Sequence, residues 1–313
     1  MNILVTGAGG FVGSHLCDHL LAGGHTVVGL DNFVTGRPDN IAHLAGNAKF
    51  RLLTADVTAP LDWPADLAPP DAIAHLASPA SPVDFGPLAI PIMRANGEGS
   101  YLLLELARTT GARFLLASTS EVYGDPAVHP QREDYVGHVN PIGVRSVYDE
   151  SKRYAEAMTA AYRRRFTVDT KIARIFNTYG PRMRPDDGRV LPAFISAALK
   201  NQPIPVQGDG RQTRSLCYVT DLVDGLARLL ASDLAGPINL GNPAEITILQ
   251  LAREVIAAVG SRSTIEFTPL PADDPIRRCP DISLARKLLN WSPTVDRVEG
   301  LRRTVEYFRK VLA

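Results

Sequence analysis

Cysteine is scarce in this sequence. Cys17, Cys217 and Cys279 stand far apart, with neither the spacing of a disulfide framework nor that of a metal-ligand motif. A charge excess of one sign is also missing. Lys plus Arg and Asp plus Glu number 33 each, so no global field draws the chain to nucleic acid or to an acidic membrane surface. The local run Arg163-Arg164-Arg165 reads as a solvated helix end. No stretch approaches the roughly 18 uninterrupted apolar residues of a membrane span. No charged leader or apolar signal segment stands before the first strand, and there is no internal repeat, low-complexity tract or long linker. These absences predict a cytoplasmic protein with no bound metal, no nucleic acid partner and no membrane partner.

What is present suits a large core. The 313 residues are 45% hydrophobic, enough for one big α/β domain with an appended lobe. Short apolar strands alternate with helical stretches through the first half, the pattern of a doubly wound parallel sheet. Strands are expected at Asn2 to Thr6, His25 to Leu30, Phe50 to Thr54, Ala72 to His75, Phe114 to Ala117 and Thr170 to Ile175. Beyond residue 178, prolines such as Pro181, Pro185, Pro192, Pro203 and Pro205 break the helical runs, and Gly208-Asp209-Gly210 reads as a turn. The expected fold is therefore α/β: a Rossmann-type domain over residues 1–178 and a smaller C-terminal substrate-binding lobe over 179–313. Residues 237–240 are expected to return to the main sheet as a further strand.

Directly after the first strand comes Gly7-Ala8-Gly9-Gly10-Phe11-Val12-Gly13, with a helical run from Phe11 to Leu21 behind it. Glycines at such a turn let the backbone approach a pyrophosphate, whose charge then sits against the helix N-terminus. A lone glycine motif is usually only a turn, but strand, glycines and helix in this order favour a dinucleotide. Asp31 ends the second strand about 20 residues beyond the glycines, where a carboxylate accepts hydrogen bonds from the adenosine ribose and repels a 2′-phosphate. The expected cofactor is thus NAD, not NADP. Asp56 is placed for the adenine amino group, and Leu76-Ala77-Ser78 for the pyrophosphate and nicotinamide ribose. His75 ends an apolar strand and is given no chemistry, since such a histidine is usually a hydrogen-bonded core residue.

Tyr148 and Lys152 are four apart in Tyr148-Asp149-Glu150-Ser151-Lys152, which puts both on one face of a helix. A phenol titrates near pH ~10, so it serves as a base at neutral pH only where a neighbour stabilises its anion by roughly 4 kcal/mol. An ammonium one turn away supplies part of that. Alone, a Tyr and a Lys at this separation are a weak signal, because many solvated helix faces carry them by chance. The same helix continues through Ala155, Met158, Thr159 and Tyr162, and Leu102 to Leu106 forms a second apolar stripe. Two such helices from each subunit predict a homodimer built on a four-helix interface, unless both stripes pack on their own sheet.

Longer stretches carry a family likeness: TGAGGFVGSHL, DNFVTGR, HLASPASP, STSEVYGDP, HPQREDYVGHVNPIGVRSVYDESKR, ARIFNTYGPRM, DGRV, GDGRQTRS, NLGNP and DDPIRRCPDI. Together they span nearly the whole chain. The sequence resembles the extended short-chain dehydrogenase/reductases that act on nucleotide sugars, and within them the UDP-glucuronate decarboxylase (UDP-xylose synthase) branch. It departs from that pattern at Ser151, where Gly is usual, at Cys279, where Lys is common, and in a longer, Pro-rich segment from Pro60 to Pro70 expected to alter the border of the cofactor cleft.

The resemblance implies a set of roles. Tyr148 takes the C4 hydroxyl proton while NAD accepts the C4 hydride. Lys152 binds the nicotinamide ribose and lowers the tyrosine pKa, and Thr119 completes the relay to the C4 oxygen. Ser120 and Glu121 lie close to C5 and the carboxylate, and Arg278 lies over the sugar. Asn177, Arg214 and Gln207 hold the nucleotide diphosphate, with Arg189 near the cofactor. Asn32, Thr35, Gly36 and Val57 join the glycine loop, Asp31 and Asp56 as cofactor neighbours.

The implied reaction is NAD-dependent conversion of UDP-glucuronate to UDP-xylose, through C4 oxidation, loss of carbon dioxide and re-reduction. Three alternatives compete. A 4,6-dehydratase needs an acid for the departing C6 hydroxyl, and in that family an Asp-Glu pair follows the Thr, whereas Ser120 stands here. A UDP-glucuronate 4-epimerase shares almost every residue, and Glu121 with Arg278 is the reason to prefer decarboxylation. A non-catalytic NAD-sensing protein has no need of an intact Thr119, Tyr148 and Lys152.

Overall fold

The computed structural model describes residues 1–269 and 277–312. The Asp273-Asp274-Pro275-Ile276 part of the C-terminal motif lies outside the described residues. The N-terminal half alternates β1 (Asn2–Thr6), α1 (Phe11–Ala22), β2 (Thr26–Asp31), β3 (Phe50–Thr54), β4 (Ala72–His75), α2 (Ala89–Arg94), α3 (Ser100–Thr110), β5 (Arg113–Thr119), α4 (Ser146–Phe166) and β6 (Thr170–Ile175). A π-helical segment, Ala95–Gly99, joins α2 to α3. The C-terminal part continues with β7 (Thr178–Tyr179), α5 (Val190–Leu199), β8 (Ile204–Gln207), β9 (Thr213–Ser215), β10 (Cys217–Tyr218), α6 (Val219–Ala231), β11 (Ile238–Leu240) and β12 (Glu245–Thr247). It closes with α7 (Ile248–Val259), β13 (Ile265–Thr268), β14 (Arg277–Arg278), α8 (Ser283–Leu289) and α9 (Arg297–Leu312).

Seven strands form one parallel sheet in the order β11-β6-β5-β4-β1-β2-β3. β1 shows why. Ile3 and Val5 belong to the core on one face and Leu4 to the core on the other, so both faces of this strand exclude water. Only helices on both sides satisfy such a strand. α1 and α6 cover one face; α3 and α4 cover the other through Leu103, Leu104, Ala155 and Tyr162. The chain reverses direction across the sheet between β1 and β4, and the crevice beyond the carboxyl ends of strands at such a switch is where α/β sheets take ligands.

The two halves of the sequence share a core. β11 pairs with β6, Ile238 opposite Ala173, and the cluster under α1 runs without a break into Phe194 of α5, Val255 of α7 and Phe308 of α9. Three small sheets complete the C-terminal part, pairing β10 with β7, β13 with β8, and β12 and β14 with β9.

The apolar stripe Ala155, Thr159 and Tyr162 is buried against the chain's own sheet, as are Leu103 and Leu104. Exposed large apolar side chains on these helices include Ile90 and Met93 of α2, Tyr101 of α3 and Tyr154 of α4. The Pro60 to Pro70 segment tucks Leu61, Trp63 and Leu67 against the core on the α3 and α4 face. Among the described residues, none of positions 60–70 lines the large cavity. The apolar side chains of this segment are spent on the core.

Candidate active site

A cavity of about 750 Å³ opens at the switch point. One end is walled by Gly7, Gly10, Phe11, Val12, Gly13, Thr35, Leu76 and Ser78; the other by Thr119, Ser120, Glu121, Tyr148, Lys152, Asn177, Arg189, Gln207, Arg214 and Arg278. Residues far apart in sequence thus converge on one volume.

The glycine loop is a cradle that side chains would fill. A Cβ on Gly13 would sit 2.0 Å from the Gly7 carbonyl oxygen, and one on Gly7, whose φ is +73°, would sit 2.9 Å from the Ala77 nitrogen. Gly10 caps α1 with no side-chain hydrogen bond, so the positive end of the helix meets the cavity without a protein anion in place. These features fit the pyrophosphate of a dinucleotide.

Asp31, Asn32, Gly36, Asp56, Val57 and Ala77 do not line this cavity. Asp31 accepts hydrogen bonds from the backbone N–H groups of Gly9 at 2.8 Å and Phe33 at 2.7 Å, and burial raises its pKa. A Cβ on Gly36 would meet both Asp31 carboxylate oxygens at 2.9 Å, so Gly36 leaves the room Asp31 needs. Asn32 donates to Asp56 at 3.0 Å, while Ala77 N–H donates to the Thr6 hydroxyl at 3.2 Å. Val57 is buried beside Gly99. His75 is a core residue: its Nδ1 lies 2.9 Å from the Thr6 hydroxyl, and burial with the nearby Lys152 charge pushes its pKa down to about 3.

Tyr148 and Lys152 project from the first turns of α4. Tyr148 stacks on Phe85, ring centroids 5.3 Å apart, with Thr119 close enough to its hydroxyl to favour the phenolate. Lys152 donates to the Ala117 carbonyl at 2.8 Å, its Nζ 5.8 Å from the centre of the Tyr148 ring. Burial dominates both groups: the tyrosine is pushed up to about 12 and the lysine down to about 7, Glu156 only partly offsetting the latter. The expected depression of the tyrosine pKa by Lys152 is therefore not present in this state. The nearby Thr119 hydroxyl and, after it, the Arg189 charge are what favour the phenolate here.

Glu121 lies between two arginines, Arg278 and Arg145. Burial works against its charge, but the two guanidiniums outweigh it and hold the carboxyl down at about 2. Arg278 is 3% exposed, donates to the Gly124 carbonyl at 3.0 Å and stands 3.4 Å from the Ser120 hydroxyl. It sits on β14 opposite Arg214 of β9, so one small sheet delivers both arginines to the cavity. Arg189 is clamped by Asp187, one of its two bonds measuring 2.8 Å.

Sequence reasoning passed over several residues of this site. Arg145 stands three positions before Tyr148, pairs with Glu121 and lies over the Phe85 ring at 5.8 Å. Its position one turn ahead of Tyr148 was a readable signal. Phe85 had none, since it reaches the tyrosine from an irregular stretch. Asp149 is buried with its Oδ1 unpartnered, and burial together with the Glu121 charge pushes it up to about 7. Ser151 is accommodated without touching the cavity: its hydroxyl donates to the Val147 carbonyl at 2.6 Å and accepts from Asn96 at 2.9 Å.

The fold and site are those of a nucleotide-binding α/β enzyme with a tyrosine and lysine at the reacting end. The chain belongs to the NAD dependent epimerase/dehydratase family, which it matches over residues 3–241. It is 52% identical over 309 residues to UDP-glucuronic acid decarboxylase 1 of Arabidopsis thaliana, covering 99% of this chain and 70% of that one. It is 51% identical over 310 residues to UDP-glucuronic acid decarboxylase 1 of Danio rerio, covering 99% and 73%. Among solved structures it resembles the UDP-glucuronic acid 4-epimerase of Bacillus cereus, crystallised with UDP-glucuronic acid and NAD. That match has 32% identity and a TM-score of 0.90, covering 99% of this chain and all of the other.

Proposed function

We propose that this protein converts UDP-glucuronate to UDP-xylose and carbon dioxide, with NAD held in the cleft and regenerated in each cycle. The observation that carries this reading is the cluster of partly buried Glu121 with buried Arg278 and Ser120 next to Tyr148, in a chain about half identical to decarboxylases along almost its full length. Tyr148 takes the C4 hydroxyl proton, Thr119 holds the C4 oxygen, and Lys152 positions the ribose. NAD, when bound, supplies reversible hydride acceptance at C4. With C4 a ketone, the C5 carboxylate belongs to a β-keto acid, and losing carbon dioxide leaves an enolate whose charge rests on the C4 oxygen. Thr119, Tyr148 and Lys152 stabilise that oxyanion. Arg278 fixes the carboxylate so that the breaking bond lies along the π system of the ketone, since a guanidinium fork orients as a lysine cannot.

Asn177, Gln207 and Arg214 bind the nucleotide diphosphate on the same reading, and Asp31 and Asp56 the adenosine half of NAD. We place the enzyme in the cytoplasm, on the grounds that Cys17, Cys217 and Cys279 are all free thiols and that, among the described residues, no helix is long and apolar enough to cross a membrane. Its subunits pair through the exposed Ile90, Met93, Tyr101 and Tyr154. The test is product analysis from UDP-glucuronate with added NAD. A pentose supports the proposal; UDP-galacturonate makes the protein a 4-epimerase, and a dehydrated sugar makes it a dehydratase.

A further inference from the structure

Away from the cleft, three metal-ligating side chains from three separate segments meet. His129 lies in the long connection between β5 and α4, Glu245 opens β12, and Cys279 directly follows β14. Their ligand atoms all lie within 4.8 Å of one another, with His129 Nε2 3.0 Å from Glu245 Oε2. The Thr213 hydroxyl donates to Glu245 Oε1 at 2.5 Å, which leaves Oε2 to face the histidine. The Cys279 thiol makes weak contacts, to the Pro243 carbonyl at 3.4 Å and the Pro280 carbonyl at 3.9 Å. A second, independent feature points the same way. Ser215, opposite Glu245 in the strand register, is 1% exposed and its buried hydroxyl has no hydrogen-bond partner.

We propose that His129, Glu245 and Cys279 bind one thiophilic divalent cation of the zinc type, which cross-links three segments and holds in place the strand bearing Arg278. One imidazole, one carboxylate and one thiolate are a zinc donor set with bonds of ~2.0–2.3 Å, and ligand atoms already within 4.8 Å of one another need only side-chain rotation to meet one cation. On binding, the Cys279 thiol releases its proton to solvent and forms the metal–sulfur bond. Glu245 and neutral His129 exchange their mutual hydrogen bond for bonds to the cation, the imidazole proton moving from Nε2 to Nδ1 so that Nε2 can ligate. The thiolate and carboxylate then neutralise a dication, and a water or the Ser215 hydroxyl takes the fourth position. The Thr213 hydrogen bond is the kind of outer contact that orients a ligating carboxylate. The segments already touch through backbone: Gln131 N–H donates to the Cys279 carbonyl at 2.9 Å, and Cys279 N–H donates to the Gln131 side chain at 2.9 Å. Arg278 is next in the chain, so an occupied site restrains the residue that faces Glu121.

The test is titration of the NAD-supplemented full chain with cobalt(II), a spectroscopic substitute for zinc. The expected result is one cobalt per chain, a thiolate-to-cobalt charge-transfer band, and a higher melting temperature with zinc than with a chelator. Cys279→Ser should abolish the band, and His129→Ala should weaken cobalt affinity by at least roughly tenfold. If the serine variant fails to fold, the alanine variant alone decides. No band at tenfold excess cobalt, an equal band in Cys279→Ser, or unchanged affinity in His129→Ala would overturn the proposal.

Discussion

Buried Arg278 and partly buried Glu121 form an ion pair at the sugar end of the cleft, and Glu121 holds a second arginine, Arg145, on its other oxygen. The two sides of this pair are not equivalent. Replacing Arg278 leaves Glu121 still partnered, whereas replacing Glu121 strips a partner from two guanidiniums. Glu121→Ala is therefore expected to cost roughly 3–5 kcal/mol of stability and Arg278→Ala distinctly less, as read by urea denaturation. Both should slow carbon dioxide release from UDP-glucuronate by about 10²–10³-fold, the loss typical of one oriented donor. Equal stability losses would mean that Arg145 does not share the carboxylate; parental release rates would remove the cluster from the chemistry.

Tyr148→Phe deletes one hydroxyl and keeps the stack on Phe85. Folding and NAD content should match the parent. Activity should fall by at least about 10²-fold, mainly in kcat, because the base that accepts the C4 proton is gone. Turnover within a few-fold of the parent would require another base.

Lys152 gives the protein a pH signature. Its folded-state pKa is lowered from 10.5 to about 7 by burial, so between these values the unfolded chain binds more protons than the native one. Stability must then rise with pH across that window, by at most about 1.4 kcal/mol per unit. In nucleotide-free protein, denaturation between pH 7 and 9.5 should show this rise, and Lys152→Met should flatten it. A variant with the parent's slope would show that Lys152 is solvated.

Asp31 does two jobs at once. It accepts from Gly9 and Phe33, and it presents a carboxylate at the end of β2. Asp31→Ala should lower stability by about 1–3 kcal/mol, since two buried backbone donors lose their acceptor. It should also raise NADP binding relative to NAD at least about tenfold, because a charge that repels a 2′-phosphate is removed. Titration with both nucleotides checks this, and an unchanged ratio would take Asp31 out of cofactor selection.

The dimer prediction now rests on different residues from those the apolar pattern suggested. Tyr154→Glu combined with Ile90→Asp should give monomers in sedimentation at micromolar concentration while leaving the melting curve of the subunit intact. A parent protein that sediments as a monomer under the same conditions would count against the interface altogether.

Sheet and helices were readable because their signals are local. β6 spans the expected Thr170 to Ile175 and β4 the expected Ala72 to His75, since runs of buried apolar residues need only their own periodicity to be recognised. The pattern failed where one helix has two apolar faces to choose from. It named Ala155, Met158, Thr159 and Tyr162 with Leu102 to Leu106 as an interface, but periodicity does not say whether a stripe meets the chain's own sheet or a partner, and Ala155, Tyr162, Leu103 and Leu104 are buried in the chain's own core.

The sequence by itself determined the dinucleotide cradle and the Tyr148 and Lys152 pair, because a glycine turn and an i, i+4 spacing are fixed by backbone geometry over a few residues. Only the tertiary structure decided that Arg278 faces Glu121, that Phe85 and Arg145 back the tyrosine, and that His129, Glu245 and Cys279 meet. It also decided the direction of the Tyr148 and Lys152 pKa shifts. Contact between distant segments and the depth of burial are properties of the packed chain, and the energy of a charge depends on both.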